Sequence, residues 1–144
     1  REIGERGGLD LARFGAAVSP PVPIPRVRLS EAVRILEAEY GKKIDGEDID
    51  SEGERLICEY VSRTYGSDFV FLTHYPAVIR PFYSLPNADD PRYTETFDLL
   101  FRGVEIASGG QRIHDYRMLV DAIRERGMEP EAVLFPRDVK RLSP

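Results

Sequence analysis

The chain has 144 residues, 42% of them apolar and 31% charged, with a formal net charge of −5. That length suits one domain able to bury roughly two-thirds of its unfolded surface, and no apolar run approaches the roughly 18 residues needed to span a membrane. The negative balance argues against this segment being the main docking surface for nucleic acid, which carries clustered positive charge.

Arg1 to Arg6 are charged with no apolar stretch behind them, unlike a signal peptide. A single cysteine, Cys58, cannot close an internal disulfide and fits a reducing, cytoplasmic setting. One Cys and two His argue against a structural zinc site.

Along the chain, Ile3, Leu9, Leu11 and Phe14 are loosely periodic, the end of a helix that Gly7-Gly8 weakens. Residues 19–25 carry four prolines in seven and read as a stiff extended connector. Ser30 then reads as the N-cap of a helix with Ala32, Val33, Leu36 and Tyr40 at helical spacing and Gly41 as its C-cap. A second helix is predicted from about Ser51 to Tyr65, with Leu56, Ile57, Tyr60 and Val61 as its stripe and Gly66 at its end. Cys58 sits beside that stripe as a packed residue.

Asp68 to Thr73 is a strand by composition, apolar enough to be buried on both faces. Arg80 to Ser84 offers another short strand, and Pro86 to Pro91 a polar turn. Thr94–Phe101 and Val104–Ser108 read as antiparallel strands joined by a tight Arg102-Gly103 turn. Asp115 caps a last helix with Met118, Leu119, Ala122 and Ile123 inward and Gly127 at its end. Ala132 to Phe135 closes as a strand-like run. The fold class is α+β: an antiparallel sheet flanked by helices. Residues 1–25 form the helix end and connector, 26–130 the core, and 131–144 a C-terminal strand and tail.

The chemistry concentrates in Phe97 to His114. A turn at Arg102-Gly103 places Asp98 opposite Ala107 and Glu105 opposite Leu100, so both carboxylates point to one side of the sheet. Ala107 or Gly109 joins that side, according to any bulge near the glycines. Two buried carboxylates would repel, and a hard cation such as magnesium relieves that. Gly109-Gly110 removes side chains where a ligand approaches, and Arg112 can clamp a carboxylate or phosphate. The competing reading is a solvated hairpin with a glycine bulge and a surface arginine.

Phe97-Asp98-Leu99-Leu100-Phe101-Arg102-Gly103-Val104-Glu105-Ile106-Ala107-Ser108-Gly109-Gly110-Gln111-Arg112-Ile113-His114 resembles the signature of class IIb aminoacyl-tRNA synthetases, the aspartyl branch of archaeal type in particular. Phe71 to Pro76, Arg80 to Tyr83 and Glu131 to Asp138 resemble the same family in the same order. The resemblance implies an aspartate–tRNA ligase: L-aspartate is activated with ATP to aspartyl-adenylate, then transferred to tRNA, with no protein nucleophile. It implies Glu105 and Asp98 toward ATP, and Glu105, Ser108 and Asp98 toward Mg2+. Ser108, Arg112 and Gln111 would bind aspartate, His114 would line or support that pocket, and the parent enzyme would be a homodimer.

The sequence also departs from the family. No upstream dimer-forming motif, Arg-x-Glu loop or anticodon-binding domain is found, and no Gly-rich segment with an ATP-binding Arg lies between Pro130 and Glu131. The expectation is an incomplete catalytic domain. An asparagine-synthetase-like paralogue and a non-catalytic amino-acid-binding module are the alternatives.

Overall fold

Two helices lie against one face of a four-stranded sheet in a computed structural model that describes residues 23–134. The strands are β1 (Arg26–Arg28), β2 (Phe69–Thr73), β3 (Thr96–Phe101) and β4 (Val104–Gly110), in that order across the sheet. The helices are α1 (Leu29–Tyr40), α2 (Ser51–Tyr65), α3 (Tyr116–Glu125) and α4 (Pro130–Leu134). β2, β3 and β4 pair antiparallel, while β1 runs parallel to β2, joined to it through α1 and α2. The α+β expectation holds, with a parallel edge strand at the end of what reads as a proline connector. The predicted helix over residues 1–14 and the connector before Pro23 lie outside the described residues.

α1 starts one residue earlier than the cap rule suggests. Arg28 occupies the N-cap with no side-chain hydrogen bond, and Ser30 lies inside the first turn. The strand ladder of β1 runs straight into the helix, so sheet pairing sets the start and the serine preference is outvoted. Gly41 ends α1 in the left-handed region, as expected. α2 is capped by Asp50, whose carboxylate accepts from the Gly53 amide at 2.8 Å. Leu36, Ile57 and Val61 from the helices meet Val70, Leu72 and Leu100 from the sheet, and all six are fully buried. Cys58 packs in the same cluster, as expected, and burial pushes its thiol pKa up.

β2 is sealed on one face only. Val70 and Leu72 are buried, while Phe69, Phe71 and Thr73 are half-buried on the other side. There Phe69 packs on Phe101 with ring centroids 4.7 Å apart, and Phe71 meets Phe97 edge-on at 5.3 Å. The expectation of burial on both faces is therefore corrected: composition cannot tell a half-covered aromatic face from a closed one.

Arg80 to Ser84 is not a strand. A 3-10 turn at Ala77–Ile79 precedes it, and Ser84 makes one isolated bridge to Arg112. Pro81 cannot donate to a ladder. The polar turn after Pro86 is as expected, with Asn87 Oδ1 accepting from the amides of Asp89 and Asp90. Asp115 caps α3 by accepting from the Met118 amide at 2.8 Å. Ile123 is buried and Leu119 and Ala122 half-buried, as expected, while Met118 is exposed and Val120 is buried in its place. Ala132 to Leu134 belongs to a short helix rather than a strand, because Pro130 suits the first helical position with Glu131 in the first turn.

Candidate functional site

The site is built on the β3–β4 hairpin. Arg102 and Gly103 turn with φ of 48° and 89°, the doubly positive geometry of a two-residue hairpin. From there the ladder pairs Phe101 with Val104 and Leu100 with Glu105, as the sequence predicts. Between Leu100 and Leu99 the register shifts, so Ile106 is the extra residue of a bulge. Asp98 therefore faces Ser108, not Ala107, and the bulge lies short of the glycines. The shift returns Ser108 to the face that carries Asp98 and Glu105.

Asp98 is only 7% exposed on this face. A buried carboxylate needs compensation, and Arg80 supplies it with an N–H···O contact of 2.5 Å to Oδ2. The Arg80 guanidinium also lies 3.7 Å from the centre of the Tyr75 ring. The Tyr75 phenol is itself buried, and burial first, then the Asp98 carboxylate, push its pKa up. Two atoms of the ion pair remain buried without a partner: Arg80 Nε and Asp98 Oδ1.

Above the pair opens a cavity of about 290 Å³ whose lining includes Arg80, Tyr83, Ser108, Gly110 and Arg112. The Arg112 guanidinium rests over the Tyr83 ring, 4.8 Å from its centroid. It enters no ion pair among the described residues. The cavity thus holds one guanidinium neutralised by a carboxylate and one that is not, next to a serine hydroxyl. Such a set suits a small anionic ligand with polar groups of its own.

The predicted site residues separate into three groups. Ser108 and Arg112 share the cavity, with Asp98 in register beneath Ser108. Glu105 lies on the same face two ladder positions away, about 7 Å along the strand. It is exposed, and its charge faces Glu54 of α2. Gln111 does not line the cavity: its amide donates to Glu95 and its carbonyl accepts from Leu85, while its side chain is exposed. His114 is exposed and outside the lining as well.

Gly109 and Gly110 both line the cavity, as expected, and their neighbours give a second reason for glycine at these positions. A Cβ on Gly110 would lie 2.6 Å from Thr96 Cγ2 and 2.8 Å from the Glu95 carbonyl oxygen. One on Gly109 would lie 3.0 Å from the Phe97 ring. Their missing side chains let β4 close against β3 before they make room for a ligand.

Sequence reasoning missed Arg80, Tyr75, Asp48 and Glu54. Burial raises the Asp48 and Glu54 carboxyl pKa values, with Glu105 adding to Glu54 and Asp98 acting on both. The one available signal was Asp98 itself: an acid on an apolar strand requires a cation somewhere in the fold. No group of three or more His, Cys, Asp or Glu among the described residues is gathered closely enough to hold a metal.

Comparison with known proteins identifies the family. Residues 7–137 match the family model for class II tRNA synthetases (D, K and N). The chain is 45% identical over 139 residues to the aspartate--tRNA(Asp/Asn) ligase of Aeropyrum pernix, covering 96% of this chain and 30% of that protein. It is 50% identical over 125 residues to the Thermus thermophilus protein of the same name, covering 85% and 29%. The solved aspartyl tRNA synthetase from Entamoeba histolytica superposes with a TM-score of 0.80 at 34% identity, over 92% of this chain and 28% of that one. The chain therefore spans less than a third of the proteins it matches. These matches show that the chain belongs to the class II tRNA synthetase family of the D, K and N type.

Proposed function

We propose that the chain supplies the amino-acid pocket and part of the ATP site of an aspartate–tRNA ligase. The observation that carries this reading is the cavity uniting Ser108 with an uncompensated Arg112 in a chain of this family. Arg112 binds a carboxylate of L-aspartate through its planar fork, and Ser108 adds a hydroxyl. The substrate's own carboxylate then attacks the α-phosphate of ATP in line, releasing pyrophosphate, and the acyl group passes to tRNA. No protein nucleophile takes part, so these residues contribute orientation and charge complementarity. A homodimeric, cytoplasmic parent enzyme is part of this proposal, with tRNA engaged mainly outside this acidic segment.

The donor set fits magnesium delivered with a nucleotide. Glu105 and Ser108 are exposed oxygen donors on one face, and Asp98 keeps a buried, unpartnered Oδ1 behind them. Magnesium takes one or two carboxylates and fills its other positions with water and phosphate, so no three-carboxylate cage is required. When bound, it would neutralise charge on the phosphates. Glu105 and Ser108 would hold it directly, and Asp98 from the second layer, fixed by Arg80.

Calorimetric titration of the 144-residue chain with L-aspartate tests the reading. Binding is expected, and Arg112→Ala should weaken it at least about tenfold, the loss of one charge-assisted hydrogen-bond pair. Unchanged binding by Arg112→Ala refutes the assignment. Aspartate-dependent pyrophosphate exchange by the chain alone is expected to be negligible. Pro130 and Glu131 are consecutive in α4, which leaves no place between them for the Gly-rich Arg segment that the resemblance implies. One missing phosphate-gripping donor costs about 3 kcal/mol of transition-state stabilisation.

A further inference from the structure

Arg80 and Arg112 line the same cavity, but their charges are not equivalent. Arg80 is spent on Asp98 directly beneath it. Arg112 lies over an uncharged ring and has no anionic partner among the described residues. These three groups together leave one surplus positive charge facing the ligand.

The Arg80–Asp98 pair is poorly built for stability. It makes a single hydrogen bond where a guanidinium and a carboxylate can make two, and it leaves a donor and an acceptor buried and unmatched. Buried pairs of that kind are weak contributors to folding. What the pair does supply is neutrality under the cavity floor. The stack of Arg80 on Tyr75 and two hydrogen bonds from Arg126 to the carbonyl oxygens of Ala77 and Arg80 hold that segment in place.

We infer that Arg80 is a specificity-determining residue: by neutralising Asp98 it preserves the surplus charge of Arg112, and that surplus selects a carboxylate-bearing amino acid over its carboxamide analogue. The inference rests on the aspartate reading of the same cavity. Aspartate and asparagine are nearly isosteric, so shape discriminates poorly and charge must carry the choice. Without Arg80, the Asp98 carboxylate cancels Arg112, and the cavity presents no net charge to the side chain that distinguishes the two ligands. Asp48 also feels the Arg80 charge, but deleting Arg80 removes one positive charge whatever proton Asp48 holds.

The test is the ratio of dissociation constants for L-asparagine and L-aspartate, measured by calorimetry at pH 8 without nucleotide. The wild-type chain is expected to prefer aspartate. Arg80→Met should lower the ratio about tenfold, the effect of one unit charge a few ångströms away in a partly wetted site. Arg80→Met combined with Asp98→Asn should restore it, since the surplus returns. A purely structural role would weaken both ligands equally and leave the ratio unmoved, which overturns the inference, as does failure of the double variant to restore it. Asp98→Asn alone keeps the test open if Arg80→Met does not fold: it should raise the preference for aspartate, and an unchanged ratio counts against the idea. A wild-type chain that binds neither amino acid sinks the aspartate reading together with this one. A wild-type preference for aspartate that survives in Arg80→Met sinks this one alone.

Discussion

Replacing Gly110 by alanine should destabilise the fold and disturb the site in one step. The new Cβ would stand 2.6 Å from Thr96 Cγ2, 2.8 Å from the Glu95 carbonyl oxygen and 2.9 Å from Thr96 Cα. None of these can withdraw cheaply. The Thr96 hydroxyl is hydrogen-bonded to that of Thr94 at 2.8 Å, which in turn lies 3.1 Å from the Tyr75 carbonyl oxygen. The Glu95 carbonyl accepts from the Gln111 amide at 2.9 Å. Overpacking of a closed ladder costs about 1–3 kcal/mol, and loss of one buried hydrogen bond adds about 1 kcal/mol. The expected loss is therefore about 2–4 kcal/mol. With an unfolding entropy of about 0.3 kcal/mol/K for a chain of this length, Tm should fall by about 10 °C. Gly46→Ala is the matched control, since a Cβ there meets nothing within 4 Å and should shift stability by less than about 0.5 kcal/mol. Differential scanning calorimetry of both variants decides the matter. If Gly110→Ala melts within about 2 °C of Gly46→Ala, the close approach of β4 to β3 is not what the glycine serves.

Three further outcomes follow from other contacts. Asp50→Ala removes the side-chain cap of α2 and should cost about 1 kcal/mol by urea denaturation, whereas Asp50→Asn should cost much less. Glu54 has its carboxyl pKa raised, by burial first and by the Glu105 charge next. The native state therefore holds this proton more tightly than the unfolded chain, and its stability falls as pH rises through the window above the ordinary glutamate value. Glu54→Gln should accordingly stabilise the protein at pH 7 and lose that advantage by pH 4, a pattern that urea midpoints at the two pH values will show or deny. Cys58, packed in the core with its thiol pKa pushed up by burial, should react with a thiol-specific reagent far more slowly in the native protein than in denaturant. Equal rates would mean that α2 does not seal it.

Much of the fold is legible because it rests on local signals. α2 announces itself by a 3.6-residue apolar stripe and a terminal glycine, and its observed bounds are those predicted, with Asp50 as a cap that the folded chain adds. The hairpin is equally local: Arg102-Gly103 between two apolar runs leaves few alternatives. The errors arise where a long-range partner overrides a local preference. Ser30 is a better cap than Arg28, yet the parallel pairing of β1 with β2 decides where α1 begins. Ala132 to Leu134 has strand-like composition, yet Pro130 and Glu131 start a helix through it.

The same division runs through the site. Asp98 and Glu105 stand on one hairpin and come to one face by alternation, but Ser108 joins them only through the bulge at Ile106, which no local pattern announces, and Arg112 follows the hairpin to line the cavity with Ser108. Arg80 stands out in the sequence only as the start of a stretch that resembles the family, and no local pattern gives its side chain a role. Its importance comes entirely from what the fold sets beside it: a carboxylate 18 residues away in sequence, and the ring of Tyr75. A buried acid on an apolar strand predicts that a cation must come, but only the irregular segment after β2 says which one. That segment has no periodic pattern, and its course is fixed by isolated bridges at Pro76, Ser84 and Pro86. The residues most open to sequence reading are thus those that would touch a ligand, and the residue that sets their charge balance is visible only once the chain has folded.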